Sequence, residues 1–169
     1  MLPDDCSRDS MMDSAKKSDA LIMAEAIRLV GEGVSVTFPV NGRSMLPFIV
    51  GGRDSVILKK PVDLCVGDVV LALAIPDNVA HLENAEKHYV IHRIVALSGD
   101  DVVLMGDGNL VQREYCKRSE VYAKVVCVVK PNGKKCPTEA FWGRIAAKVW
   151  YILLPVRNYL LWIYRKVKK

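Results

Sequence analysis

Three short segments hold the residue types of nucleophilic hydrolysis. Gly42-Arg43-Ser44-Met45-Leu46-Pro47 offers a hydroxyl, Val90-Ile91-His92-Arg93-Ile94-Val95 an imidazole, and Met105-Gly106-Asp107-Gly108-Asn109 a carboxylate. A serine hydroxyl is a poor nucleophile near neutral pH and needs a base within hydrogen-bond reach. The base in turn needs a partner on its other ring nitrogen to fix its tautomer. Ser44, His92 and Asp107 are of the residue types that make up a nucleophilic triad. Each also has an ordinary reading, as turn serine, satisfied core histidine and turn aspartate. The oxyanion formed on attack needs donors, and the Ser44 backbone N–H is the obvious one. Met45 and Pro47 shape the turn and the floor of a cleft, or simply pack in the core.

Other candidates fit less well. His81 and His88 lie near a polar stretch, and no carboxylate or cysteine spacing makes a metal site of them with His92. They read as surface histidines. Lys87 is an odd number of residues from His92, so a strand sends the two to opposite faces. It reads as a solvated lysine rather than a base. Asp68 suits a turn.

The elements that must position these residues are mostly strands. From Val34 to Lys130, short Val/Ile/Leu-rich runs alternate with Gly, Asp, Asn and Pro. Strands are expected at Val34–Pro39, Ser55–Lys59, Val69–Ala74, His88–Leu97, Val102–Met105 and Val121–Val129. The nearly all-apolar run around His92 suggests a strand covered on both faces. Residues 1–18 read as a flexible leader. An amphipathic helix follows, from about Ser18 to Gly31, ended by Gly31 or Gly33. Residues 131–138 read as a turn or linker. From Glu139 to Lys169 a helical tail is expected, kinked at Pro155.

Composition limits what such a chain does. The 169 residues are 51% hydrophobic and 25% charged, which excludes a disordered chain. The net charge is +5. It is carried by residues 141–169, where Arg144, Lys148, Arg157, Arg165, Lys166, Lys168 and Lys169 occur with no acid. Interleaved Trp, Tyr, Leu and Ile favour a membrane interface over nucleic acid as the partner of that tail. A bilayer-surface helix, a transmembrane span and a packed soluble helix are the three readings. The longest uncharged run there, Val149–Val156, is short of the roughly 18 residues a simple span needs. The five cysteines form no C-x-x-C pair and read as reduced thiols. The N-terminus has no signal-peptide apolar region.

Four elements occur in a fixed order: Gly42–Pro47, Gly67-Asp68-Val69-Val70, His92-Arg93-Ile94-Val95 and Gly106-Asp107-Gly108-Asn109. This arrangement resembles the signal peptidase and repressor-cleavage superfamily of serine peptidases over roughly residues 34–130. The histidine at the base position is similar to the archaeal, endoplasmic-reticulum and sporulation-type branch. The resemblance implies a mainly β fold with a coiled antiparallel sheet and no metal or organic cofactor. It implies Ser44 as nucleophile, His92 as base, Asp107 as orienting acid and a preference for small residues before the cut. The pattern departs from the family at Gly42, where a serine donor is common, and at Arg113, where a second acid is common. Either Asp107 suffices, or the adjacent Glu114 substitutes, or the triad is incomplete.

The expectation is a serine endopeptidase domain over residues 19–130, acting on a protein or peptide precursor. Residues 131–169 form a basic helical tail that holds the chain at a membrane, on the cytoplasmic face. The alternatives are a cytoplasmic location, a peptidase-like module that binds peptides without cutting them, and a self-cleaving regulator.

Overall fold

The computed structural model describes residues 21–80, 85–109 and 111–138. The leader, His81 and the helical tail from residue 139 lie outside these residues. So does Ser18, where the first helix is expected to begin.

Helix α1 covers residues 21–31. It ends in a left-handed glycine: Gly33, with φ +89°, donates to the Val30 carbonyl at 2.9 Å, and Val34 donates to Leu29 at 3.0 Å. These two bonds satisfy carbonyls that the last turn would leave open. Of the two glycines expected to stop the helix, Gly33 does so.

Eight strands follow: β1 Val36–Pro39, β2 Ser55–Lys59, β3 Val69–Pro76, β4 His88–Ser98, β5 Asp101–Met105, β6 Glu114–Lys117, β7 Val121–Val129 and β8 Lys135–Pro137. All pair antiparallel, in the order β1-β2-β7-β3-β4-β5-β6, with β8 on β7. β6 also pairs back to β3, so β3, β4, β5 and β6 close into a ring. The chain is therefore mainly β, with a barrel-like sheet and a short helix before it. Bulges at Ile57/Leu58, Leu71/Ala72 and Ile94/Ala96 supply local bending for this curvature.

β3 explains why there are two cores. Its sequence, VVLALAIP, is apolar on both faces. Val69 and Leu71 join Val30, Val40, Met45, Ile49, Val56, Leu58 and Val125 beneath α1 and the β1–β2 loop. Val70, Ala72 and Ala74 point the other way, into the ring, with Val90, Ile94, Val102, Leu104 and Cys116. The two sets come from one strand because successive side chains alternate.

Three expectations change. β4 is not equally covered on both faces: Val90, His92 and Ile94 are buried, and Ile91, Arg93 and Val95 are less so. β6 lies outside the expected strands, because its sequence, EYCK, is polar and carries only Cys116 as an apolar inward residue. The segment read as a linker contributes β8, with Cys136 paired to Val128, and Thr138 Oγ1 donates to the Val125 carbonyl at 2.5 Å.

Candidate active site

Ser44 stands in the loop between β1 and β2. Several bonds fix that loop. Val40 donates to the Asp54 carbonyl at 3.2 Å, and Gly52 donates to Val40 at 2.7 Å. The Asp54 carboxylate is 2% exposed and accepts from Val50 N–H (2.9 Å), Arg53 Nε (2.8 Å) and Lys130 Nζ (2.7 Å). Lys130 also donates to the Phe48 carbonyl at 3.1 Å. Burial alone would raise the Asp54 carboxyl. The hydrogen bonds from Arg53, Lys130 and Val50 outweigh it and hold the group well below its ordinary range. Met45 and Ile49 drop into the core beneath and anchor the loop from inside.

The loop is docked against the turn after β5. Gly108 N–H donates to the Ser44 carbonyl at 2.6 Å. A Cβ on Gly106 would stand 2.6 Å from that carbonyl oxygen, and one on Gly108 would stand 2.7 Å from the Arg43 carbonyl oxygen. The two glycines of Gly106-Asp107-Gly108-Asn109 are thus required by backbone-to-backbone contact with the serine loop.

His92 lies mid-β4, 5% exposed, on the ring side between Val90 and Ile94. Its Nδ1 meets the Oε2 atom of Glu114, the first residue of β6, itself 3% exposed. A carboxylate only accepts, so this contact places the proton on Nδ1 and leaves Nε2 as the basic nitrogen. The other carboxylate oxygen, Oε1, faces Nε2 of His88 at 3.7 Å.

Asp107, expected beside His92, is held by Arg93. The guanidinium donates from Nε to Oδ1 at 2.8 Å and from Nη2 to Oδ2 at 2.6 Å. Its Nη1 donates to the Gly67 carbonyl at 2.6 Å, and its Cζ lies 5.8 Å from the Phe48 ring centroid. Strand alternation is the reason. His92 and Arg93 are neighbours on β4 and face opposite ways, and the glycine turn lies on the Arg93 side. Arg93 therefore joins β4, two turns and the serine loop. The Nδ1 position expected for Asp107 belongs to Glu114, the residue beside the place where the family pattern puts its second acid. The missed signal was local: Glu114 and Cys116 alternate inward on a segment too polar to read as a strand.

Ser44, Met45, His92, His88, Asn109 and Glu114 line one cleft of ≈ 480 Å³, with Phe38, Leu71, Ile91 and Met23 supplying apolar wall. Asp107 is buried behind it and is not in its lining. Ser44 and His92 both line this cleft and make no hydrogen bond to each other. Such contacts are commonly long before substrate binds. Among the described residues no backbone acceptor takes the Ser44 N–H, which leaves it available as a donor.

The remaining candidates have other partners. Lys87 pairs with Glu120. Asp68 accepts from Cys65 N–H at 2.9 Å and pairs with Lys124 at 3.1 Å, closing a turn. Among the described residues no group of three or more His, Cys, Asp or Glu is arranged to hold a metal ion.

Comparison with known proteins gives no matching family model, no matching curated protein and no matching solved structure. What the chain does is read from its own residues.

Proposed function

We propose that the protein is a serine endopeptidase that hydrolyses a peptide bond in a protein or peptide precursor. The observation that carries this reading is the buried His92–Glu114 pair, opening onto the cleft that Ser44 also lines. Ser44 Oγ attacks the carbonyl carbon of an extended segment while His92 Nε2 takes its proton. Glu114 stabilises the imidazolium that results. The Ser44 N–H donates to the oxyanion. His92 then returns the proton to the leaving amine, and water activated by the same nitrogen clears the acyl-enzyme. Arg93, Asp107 and Gly108 hold the serine loop against the barrel and do not meet substrate.

The resemblance to signal peptidases adds a preference for small side chains before the cut. The basic aromatic tail adds membrane association, on the cytoplasmic face. Among the described residues no helix is long and apolar enough to cross a membrane.

Labelling by a serine-reactive acylating probe, with Ser44→Ala and His92→Ala as controls, tests the chemistry. Wild type is expected to be labelled, and both variants to stay unlabelled while folded. Equal labelling of all three rejects the proposal. A peptide-binding module that does not cut is the second reading. It is favoured by Gly42, which brings no side-chain donor to the cleft, and by the open Ser44–His92 gap. Peptide binding without any labelling would select it.

A further inference from the structure

We infer that the side-chain amide of Asn109 is a catalytic residue, the second donor to the oxyanion beside the Ser44 backbone N–H. The inference deepens the peptidase reading and rests on it.

Attack by Ser44 Oγ on a carbonyl carbon moves the π pair of that carbonyl onto its oxygen. The negative oxygen is stabilised by donors already aimed at it when it forms. The Ser44 N–H supplies one, which leaves acceptor capacity on the oxygen unused. The neighbouring residues of the serine loop add little. Gly42 holds φ +87°, a backbone conformation that side chains rarely adopt, so the loop is shaped there for a residue without a hydroxyl or amide. Arg43 is exposed and lies outside the cleft lining. Met45 is packed into the core.

Asn109 approaches from the turn after β5, and two backbone bonds set its place. Gly108 N–H donates to the Ser44 carbonyl at 2.6 Å, and Asn109 N–H donates to the Gly106 carbonyl at 3.0 Å. The side chain stands beside the serine. Its Nδ2 lies 3.0 Å from the point where a Cβ on Gly106 would be, and the Ser44 Cβ lies 3.0 Å from that same point. The missing Cβ of Gly106 is what gives the amide and the serine room to approach each other. Asn109, Ser44 and His92 line the same cleft.

The amide is also unspent. A turn asparagine commonly bonds nearby backbone with its side chain. Among the described residues the half-buried Asn109 side chain makes no hydrogen bond. Its N–H groups are therefore held close to Ser44 with nothing to donate to until substrate arrives.

In the reaction the oxyanion accepts from Ser44 N–H and from Asn109 Nδ2–H. On collapse the carbonyl re-forms and the C–N bond breaks. The leaving amine takes the proton that His92 removed from Ser44. Asn109 neither gains nor loses a proton. It acts where charge develops, so its contribution falls on kcat and not on KM.

The test compares wild type, Asn109→Ala and Asn109→Asp, with folding checked by circular dichroism. Cleavage is followed on a fluorogenic peptide with alanine before the cut. Binding is measured for an alanine-based peptide boronic acid, which forms a negative tetrahedral adduct with a reactive serine, and for the same peptide as its amide, which does not. Asn109→Asp keeps the shape of the side chain and puts a negative acceptor in place of the donor. In Asn109→Ala kcat is expected to fall about 100-fold, with KM nearly unchanged, and in Asn109→Asp further still. Affinity for the boronic acid should fall with kcat while affinity for the amide holds. A residue that only supports the turn would weaken both ligands together. Equal kcat in the three proteins, or equal loss of affinity for both ligands, overturns the inference and leaves the peptidase reading in place. A wild type that neither cleaves the peptide nor forms the boronic acid adduct overturns the peptidase reading, and the donor role of Asn109 with it.

Discussion

Nδ1 of His92 meets Oε2 of Glu114 inside the closed ring of β3, β4, β5 and β6, although 22 residues separate them in the chain. The contact is possible because β6 pairs with both β5 and β3, which brings its first residue over the ring-side face of β4.

Glu114 and Asp107 should separate in their effects. Glu114→Gln keeps the shape of the side chain but lets the wrong tautomer of His92 form. Cleavage is expected to fall about 10⁴-fold with the fold retained. Asp107→Asn breaks the bidentate pair with Arg93 and should act first on stability, by about 2 kcal/mol. Steady-state kinetics and urea unfolding on both variants check this. The reverse ranking would return the orienting role to Asp107.

Gly106 couples the serine loop to the barrel. In Gly106→Ala the new Cβ lies 2.6 Å from the Ser44 carbonyl oxygen and 3.0 Å from the Ser44 Cβ, so the loop must move. A displacement of about 1 Å is expected to cost roughly 100-fold in kcat. Kinetics combined with circular dichroism would show the loss in a protein that remains folded. Unchanged kcat would mean that the docking does not set the position of Ser44.

Asp54 gives the loop a pH dependence of known sign. Its folded carboxyl is held below its unfolded value by the hydrogen bonds from Arg53, Lys130 and Val50, which prevail over burial. Its stabilisation is then full above about pH 4 and lost as pH falls toward the folded value. Asp54→Asn should be less stable by about 2 kcal/mol at pH 7. The gap to wild type should narrow below pH 4. Urea midpoints at pH 7 and pH 3 measure it.

Cys116 should be inert. Burial, with a smaller contribution from Glu120, pushes its thiol up to about 12. At pH 8 it is expected to resist iodoacetamide in the folded protein and to react once urea exposes it, whereas the exposed Cys65 reacts in both states. The native state keeps a proton that the unfolded chain releases above about pH 8.5. Cys116 therefore makes stability fall as pH rises past that value. Peptide mapping by mass spectrometry reads the labelling, and Cys116→Ala should flatten the alkaline slope.

Sequence by itself determined a β-rich chain and the bounds of most of its strands. Ser55–Lys59 and Val121–Val129 are read directly from Val/Ile-rich runs with period two and turn residues at both ends. It also singled out Ser44, His92 and the Gly106–Asn109 turn as candidates, because serine, histidine and aspartate are the residue types that a nucleophilic triad needs. Periodicity is a local property, so it can be seen without the fold. Which carboxylate meets His92 is not local. It depends on which face of β4 each residue takes, and on a polar four-residue strand becoming ordered only when β3 and β5 flank it. Tertiary closure therefore assigned Asp107 to Arg93 and Glu114 to His92, and it alone set His88 against the remaining oxygen.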